Sequence, residues 1–278
     1  MVFWNKDVLF CELNPTCYAI SMQKEIVKRH LQDFKRKPNF AKQHQEEILP
    51  CLVSSHSSHL IKKGPGIDLE LQYNKAINID LAAKRMHKLI IQPGEIFSFW
   101  KLVGKLSRRK GYLDGRVIQN DKVEAGLGGG LCNLANTIHC LIVHSPMQIT
   151  EFHTHSDALA PDEGKRIPFA NGTSVAYNHV DYRFKNSTNQ PVQLLVWCED
   201  EILYGELRSQ SEFPTRYELL EEDHHFKKEG DKYYRNSKIY RQTIDKQSNQ
   251  VLEKSLILDN HSEVMFDYDL IPKNQIRN

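Results

Sequence analysis

The chain has 278 residues, 40% of them hydrophobic, enough to bury the core of one large domain or two small ones. Its 37 basic and 35 acidic residues leave a formal net charge of +2, which gives no electrostatic case for a nucleic-acid partner or a membrane surface. The sequence holds no transmembrane run, and residues 1–30 lack the apolar core and cleavage pattern of a secretory signal, so a cytoplasmic location is expected.

Residues 1–65 read as charged and irregular, with one helical stretch at 22–34 and a loop signal at Lys63-Gly64-Pro65-Gly66. Over 74–91, Ile77, Leu81, Met86 and Leu89 predict a second helix, stopped by Pro93-Gly94. Residues 95–100 alternate polar and apolar and then turn aromatic, as a strand or a core-lining loop does. Leu131, Leu134, Ala135, Ile138, Leu141 and Ile142 recur at the three-four spacing of one buried helical face, predicting a helix over 131–143 that Pro146 closes. A short strand at 148–155 would put Glu151, His153 and His155 on one face.

Beyond Gly172 the pattern is mostly β. Strands are expected at 175–184, at 192–207 folded over Glu199-Asp200-Glu201, and at 233–244 pairing with 251–258 across Ser248-Asn249. Helices first and strands later predict an α+β fold: helices of the N-terminal half packed on a mainly antiparallel sheet, with a β-rich C-terminal part. The expected division is an N-terminal extension at 1–65, an α+β core at 66–208 and a hairpin-rich extension at 209–278.

The stretch with most chemistry is Gly128-Gly129-Gly130-Leu131-Cys132, where three glycines deliver a cysteine to the first turn of a predicted helix. Unpaired backbone N–H groups and the helix dipole favour negative charge there and can lower a thiol pKa. The functional reading is a nucleophile or an anion-accepting pocket, and the plain one is a buried structural cysteine after a turn. His139 on the same helix lies about 10 Å along the axis from Cys132, too far for direct proton transfer, so His153 and His155 are the better-placed bases. Asn133 and Asn136 could donate to an oxyanion. The six cysteines are scattered without a CxxC pair, which fits reduced thiols, and the thirteen histidines lack the spacing of a zinc module, so neither metal nor cofactor is expected.

Four blocks carry a further signal: Pro93-Gly94-Glu95-Ile96-Phe97-Ser98-Phe99-Trp100, Gly111-Tyr112-Leu113-Asp114-Gly115, the run from Gly128 to Cys132, and Val180-Asp181-Tyr182-Arg183-Phe184-Lys185-Asn186. In order and spacing they resemble the signature blocks of the VanW family, and the resemblance covers about 74–208. It implies a link to glycopeptide resistance and a cell-wall peptide or precursor as ligand or substrate. It also implies importance for Glu95, Ser98, Gly128, Gly129, Gly130, Cys132, His155 and Asp181. Two positions depart from the family pattern: Asn133 where glutamine usually follows the cysteine, and Gly172, beside Asn171, where an aspartate is common.

Two functions follow. In the first, a thiol enzyme attacks an acyl or amide carbonyl with Cys132, uses His155 as base and orients it with Asp157, Glu95 or Asp181. In the second, a non-catalytic protein holds a small molecule or cell-wall peptide in a pocket of Gly128, Gly129, Gly130, Asn133, Glu95, Ser98 and Asp181, walled by Phe97, Phe99 and Trp100. Oligomeric state is not readable from the sequence.

Overall fold

The computed structural model describes residues 9–64, 67–119, 122–154, 157–158, 161, 172–177 and 180–277. Helix α1 (Pro15–Arg36) begins where the Asn14 side chain accepts from the Cys17 N–H and Pro15 presets the first turn. Strands β1 (Gln43–His44) and β2 (Cys51–His59) follow, then α2 (Leu69–Ala83), capped by Asp68, β3 (Leu89–Ile91), β4 (Ile96–Ser98) and α3 (Phe99–Val103). Next come the hairpin β5 (Asp114–Gln119) and β6 (Lys122–Leu127), α4 (Leu131–Val143), β7 (Gln148–Glu151), β8 (Asp157–Ala158) and β9 (Arg183–Lys185). The C-terminal part is β10 (Val192–Glu199), β11 (Ile202–Ser209), β12 (Thr215–Glu229), β13 (Lys232–Asp245), β14 (Val251–Val264) and β15 (Ile276–Arg277).

The architecture is α+β. One antiparallel sheet has the order β1-β3-β10-β11-β2, a second β15-β12-β13-β14-β8, and a third β4-β9-β7. The pairs β12–β15 and β14–β8 are parallel, and the other pairings in these sheets are antiparallel. Helices α2 and α4 pack on each other and on the first sheet, so that Ile79, Met86, Leu134, Ile138 and Leu141 share a core with Leu194, Leu203 and Leu207. Burial of such a side chain is worth about 1.5–3 kcal/mol.

Helix α4 carries its predicted apolar face inward, with Leu134, Ile138, Leu141 and Ile142 fully buried. Its other face is covered too: Cys140 and Val143 meet Ile149 and Phe152, and beyond them Leu219, Ile239, Ile257 and Leu258 of the second sheet. It packs against β11 and β2. The strand expected over 175–184 is shorter than its pattern suggests: Ala176 makes an isolated bridge to Val180, and the strand begins only at Arg183.

Other differences have local causes. The second helix ends at Ala83, because the chain turns through Lys88 at φ 63° and the β-branched Ile90 and Ile91 enter the sheet as β3. Strand β2, written Cys-Leu-Val-Ser-Ser-His-Ser-Ser-His, pairs along β11 and presents exposed residues at alternate positions over much of its length, so its sequence lacks an apolar run. The hairpin β10–β11 folds over Asp200 and Glu201, both at positive φ, and β13 pairs with β14 around Asn249, also at positive φ. Among the described residues, no helix is long and apolar enough to cross a membrane.

Candidate functional site

The glycine run forms the turn between β6 and α4 and is filled by the protein itself. A Cβ on Gly129 would stand 2.2 Å from the Gly115 carbonyl carbon, and one on Gly130, whose φ is 103°, would stand 2.1 Å from Cγ of Lys75. Gly128 lies as tightly against Leu106. The turn is tied down by the Gly128 N–H donating to the Leu113 carbonyl and by the buried Asn78 amide donating to the carbonyls of Leu113 and Gly129.

Lys75, whose stem occupies the space left by Gly130, is buried and donates from Nζ to Gln72 Oε1 at 2.8 Å. Burial, with the charges of Lys62 and Arg116 nearby, brings its pKa down to about 8. A folded pKa below the unfolded one means that the protonated amine costs stability at neutral pH, and that the cost disappears as pH rises from about 8 towards the unfolded value. Lys75→Met is therefore expected to stabilise the fold at pH 7 by on the order of 1–2 kcal/mol, allowing for solvent screening. The gain should shrink above pH 9 in urea-unfolding curves, and a variant less stable than the parent at pH 7 would contradict it.

Cys132 opens α4 as the sequence suggests, but the electrostatics run the other way. Its sulfur donates to the Val175 carbonyl at 3.7 Å and packs against the core, and burial pushes the thiol pKa up. His155 lies outside the described residues, as does the side chain of Asp157. His139 is fully buried, stacked on Phe152 at 4.2 Å with Nδ1 3.2 Å from the Tyr182 hydroxyl, and burial lowers its pKa to about 3, so it is neutral. Asn136 is buried as a clamp: its Oδ1 accepts from the backbone N–H groups of Gly172 and Thr173 and from the Thr173 hydroxyl. Gly172 thus enters through its backbone. The Asn133 N–H donates to the Gly130 carbonyl in the first turn of α4.

Ser98 and Asp181 do come together. The Ser98 hydroxyl donates to Asp181 Oδ2 at 2.6 Å, and Asp181 also accepts from the N–H groups of Trp100 and Tyr182 and from Arg183 Nε. Arg183 reaches on to Asp33 of α1 with two hydrogen bonds, and Lys101 is 3.3 Å from the same carboxylate. Beside them Arg29 of α1 forks onto Glu151, whose Oε1 also accepts from the Asp181 N–H. Burial alone would raise the carboxyl pKa values of Asp33 and Glu151, but these cations and N–H donors hold both below the usual carboxylate range. Glu95 stands apart, accepting from the Gln92 N–H across a turn.

The four sequence blocks therefore pair off in space. The first and fourth join through Ser98–Asp181 and the β4–β9 ladder, where Phe97 stacks on Phe184 at 4.8 Å. The second and third join through the contact of Gly115 with Gly129. The family described as VanW like protein matches residues 74–208, the span that contains all four blocks. This chain carries a VanW-like core.

Relatives agree with that assignment. The chain is 25% identical over 221 residues to "Vancomycin B-type resistance protein VanW" of Enterococcus faecalis, covering 80% of each. It is 26% identical over 153 residues to the Bacillus subtilis protein YoaR, covering 51% of this chain and 49% of YoaR. No solved structure matches. The VanW-like core begins after β2, yet β2 is an edge strand of the sheet on which that core is built.

Of the polar groups that hold this core, the sequence points to Asn136 only as an oxyanion donor, and it does not single out Asn78, Glu151 or Arg183 as site residues. The available signal was an asparagine set among apolar residues of a helix, as Asn78 is between Ile77 and Ile79 in α2. A buried amide there must find partners.

Proposed function

We propose that the chain is a non-catalytic accessory protein that binds a cell-wall peptide or precursor in glycopeptide resistance. The name of the Enterococcus faecalis relative supports the resistance link. The observation that carries the non-catalytic reading is the state of Cys132: a half-buried thiol packed against the core, donating to a backbone carbonyl and shifted away from the thiolate. A nucleophilic cysteine needs the opposite electrostatics, a pKa lowered by a cation, a base or the helix dipole. In this reading Ser98, Asp181 and the three glycines build the core.

Iodoacetamide labelling at neutral pH, read by mass spectrometry, tests this. Cys11, Cys17 and Cys51 are expected to react well before Cys132, and Cys132→Ser is expected to leave binding of a cell-wall stem peptide unchanged. Preferential alkylation of Cys132, or turnover of the peptide that disappears in Cys132→Ser, would overturn the reading in favour of a cysteine-dependent acyl transferase or amidohydrolase.

A further inference from the structure

Between α4, β7 and the second sheet lies a cleft of about 440 Å³, lined by His139, Val143, Met147, the β7 residues and Phe152 on one side and by Arg241 and Ile257 on the other. Its volume is that of a small-ligand site. Successive side chains of a strand point to opposite faces, yet every residue of β7 from Gln148 to Glu151 lines this one cleft, so the cleft meets the strand edge-on. Within its sheet β7 pairs with β9 and stands at the outer edge. Such an edge offers backbone donors and acceptors to an extended segment.

The charge of the cleft is equally specific. Glu151 is neutralised by the Arg29 fork, and His139 is uncharged. Across from them the Arg241 guanidinium lies over the Tyr217 ring at 4.9 Å, and among the described residues its enclosed Nε has no hydrogen-bond acceptor and the group has no carboxylate partner. A half-buried guanidinium in that state is matched by an anion with bidentate geometry, and a carboxylate has it. Met147, Ile149, Phe152, Val143 and Ile257 supply an apolar wall for a ligand body.

We infer that this cleft binds a short peptide in extended form along the edge of β7, with its free C-terminal carboxylate on Arg241. The four residues of β7 span about 13 Å, the length of a tri- or tetrapeptide. Arg241 lies outside the VanW-like core, so the site joins that core to the C-terminal sheet. The inference rests on the binding reading above and gives it a location and a ligand class.

The test is calorimetric titration with N-acetyl-trialanine as the free acid and as its C-terminal amide, on the full chain and on Arg241→Gln, with the peptide recovered for mass spectrometry. The free acid is expected to bind the parent at least tenfold more tightly than the amide, and Arg241→Gln is expected to bind both equally weakly. Arg241→Lys should recover part of the preference, and Ile257→Trp, which fills the cleft from β14, should weaken binding without touching Arg241. Equal binding of acid and amide, undiminished binding by Arg241→Gln, or no binding of the free acid would overturn the site while leaving the non-catalytic reading standing. Cleavage of the peptide, or a covalent adduct on the protein, would instead overturn that reading.

Discussion

Gly129→Ala is expected to destabilise the protein on the scale of a large core deletion. The added methyl has no space to enter: its carbon would lie 2.2 Å from the Gly115 carbonyl carbon and 2.7 Å from the Arg116 nitrogen. Both are backbone atoms of a hairpin strand, not the movable end of a side chain. Overpacking typically costs 1–3 kcal/mol, and here relief requires separating β5 from the helix turn and breaking the Asn78 clamp. For comparison, Ile138→Ala should cost about 2–5 kcal/mol, because a cavity opens at a fully buried site. Thermal unfolding followed by circular dichroism checks this. A Gly129→Ala protein melting within a degree or two of the parent would show that the glycine contact is dispensable.

Arg183→Ala is expected to cost about 3–5 kcal/mol, because it leaves the buried Asp181, 1% exposed, without its counter-cation and leaves Asp33 on α1 with Lys101 alone. Asp33→Asn should separate the two effects. It keeps the Asp181 network and loosens α1, whose single buried residue is Asp33 and whose Ile20, Val27, Leu31 and Phe34 are exposed. Hydrogen exchange should then quicken over Pro15–Arg36 while α4 stays protected. Acid should act in the same direction. The lowered pKa values of Asp33 and Glu151 give stability that is present above the usual carboxylate pKa and is lost as pH falls through the folded values. If exchange in α4 accelerated together with α1, α1 would be part of the core.

The parts of the fold legible in the sequence are those where one periodicity dominates. The phase of α4 follows from six apolar residues at helical spacing, and the β10–β11 hairpin from an apolar run broken by an acidic turn. Strand β2 and the charged strand β12 were hidden because many of their side chains face solvent and carry no apolar pattern, and the partner of β2, β11, lies far along the chain. At the candidate site, position was legible and environment was not. Cys132 does open α4, but whether its thiol is activated depends on Val175 and on the core packed around it, which local spacing does not encode. Arg241 bore no signal at all. An arginine in a β-strand reads as a surface residue until the cleft opposite it is seen.

Helix α4, enclosed on both faces, has a thermodynamic consequence. It belongs at once to the core of the first sheet and to the smaller cluster with Ile239 and Ile257 of the second, so neither sheet can separate without stripping one of its faces. The calorimetric enthalpy of unfolding should therefore match the van't Hoff enthalpy across both sheets, as in a single cooperative unit. A peptide held between β7 and Arg241 would then raise the melting temperature of the whole unit, not that of its own walls alone.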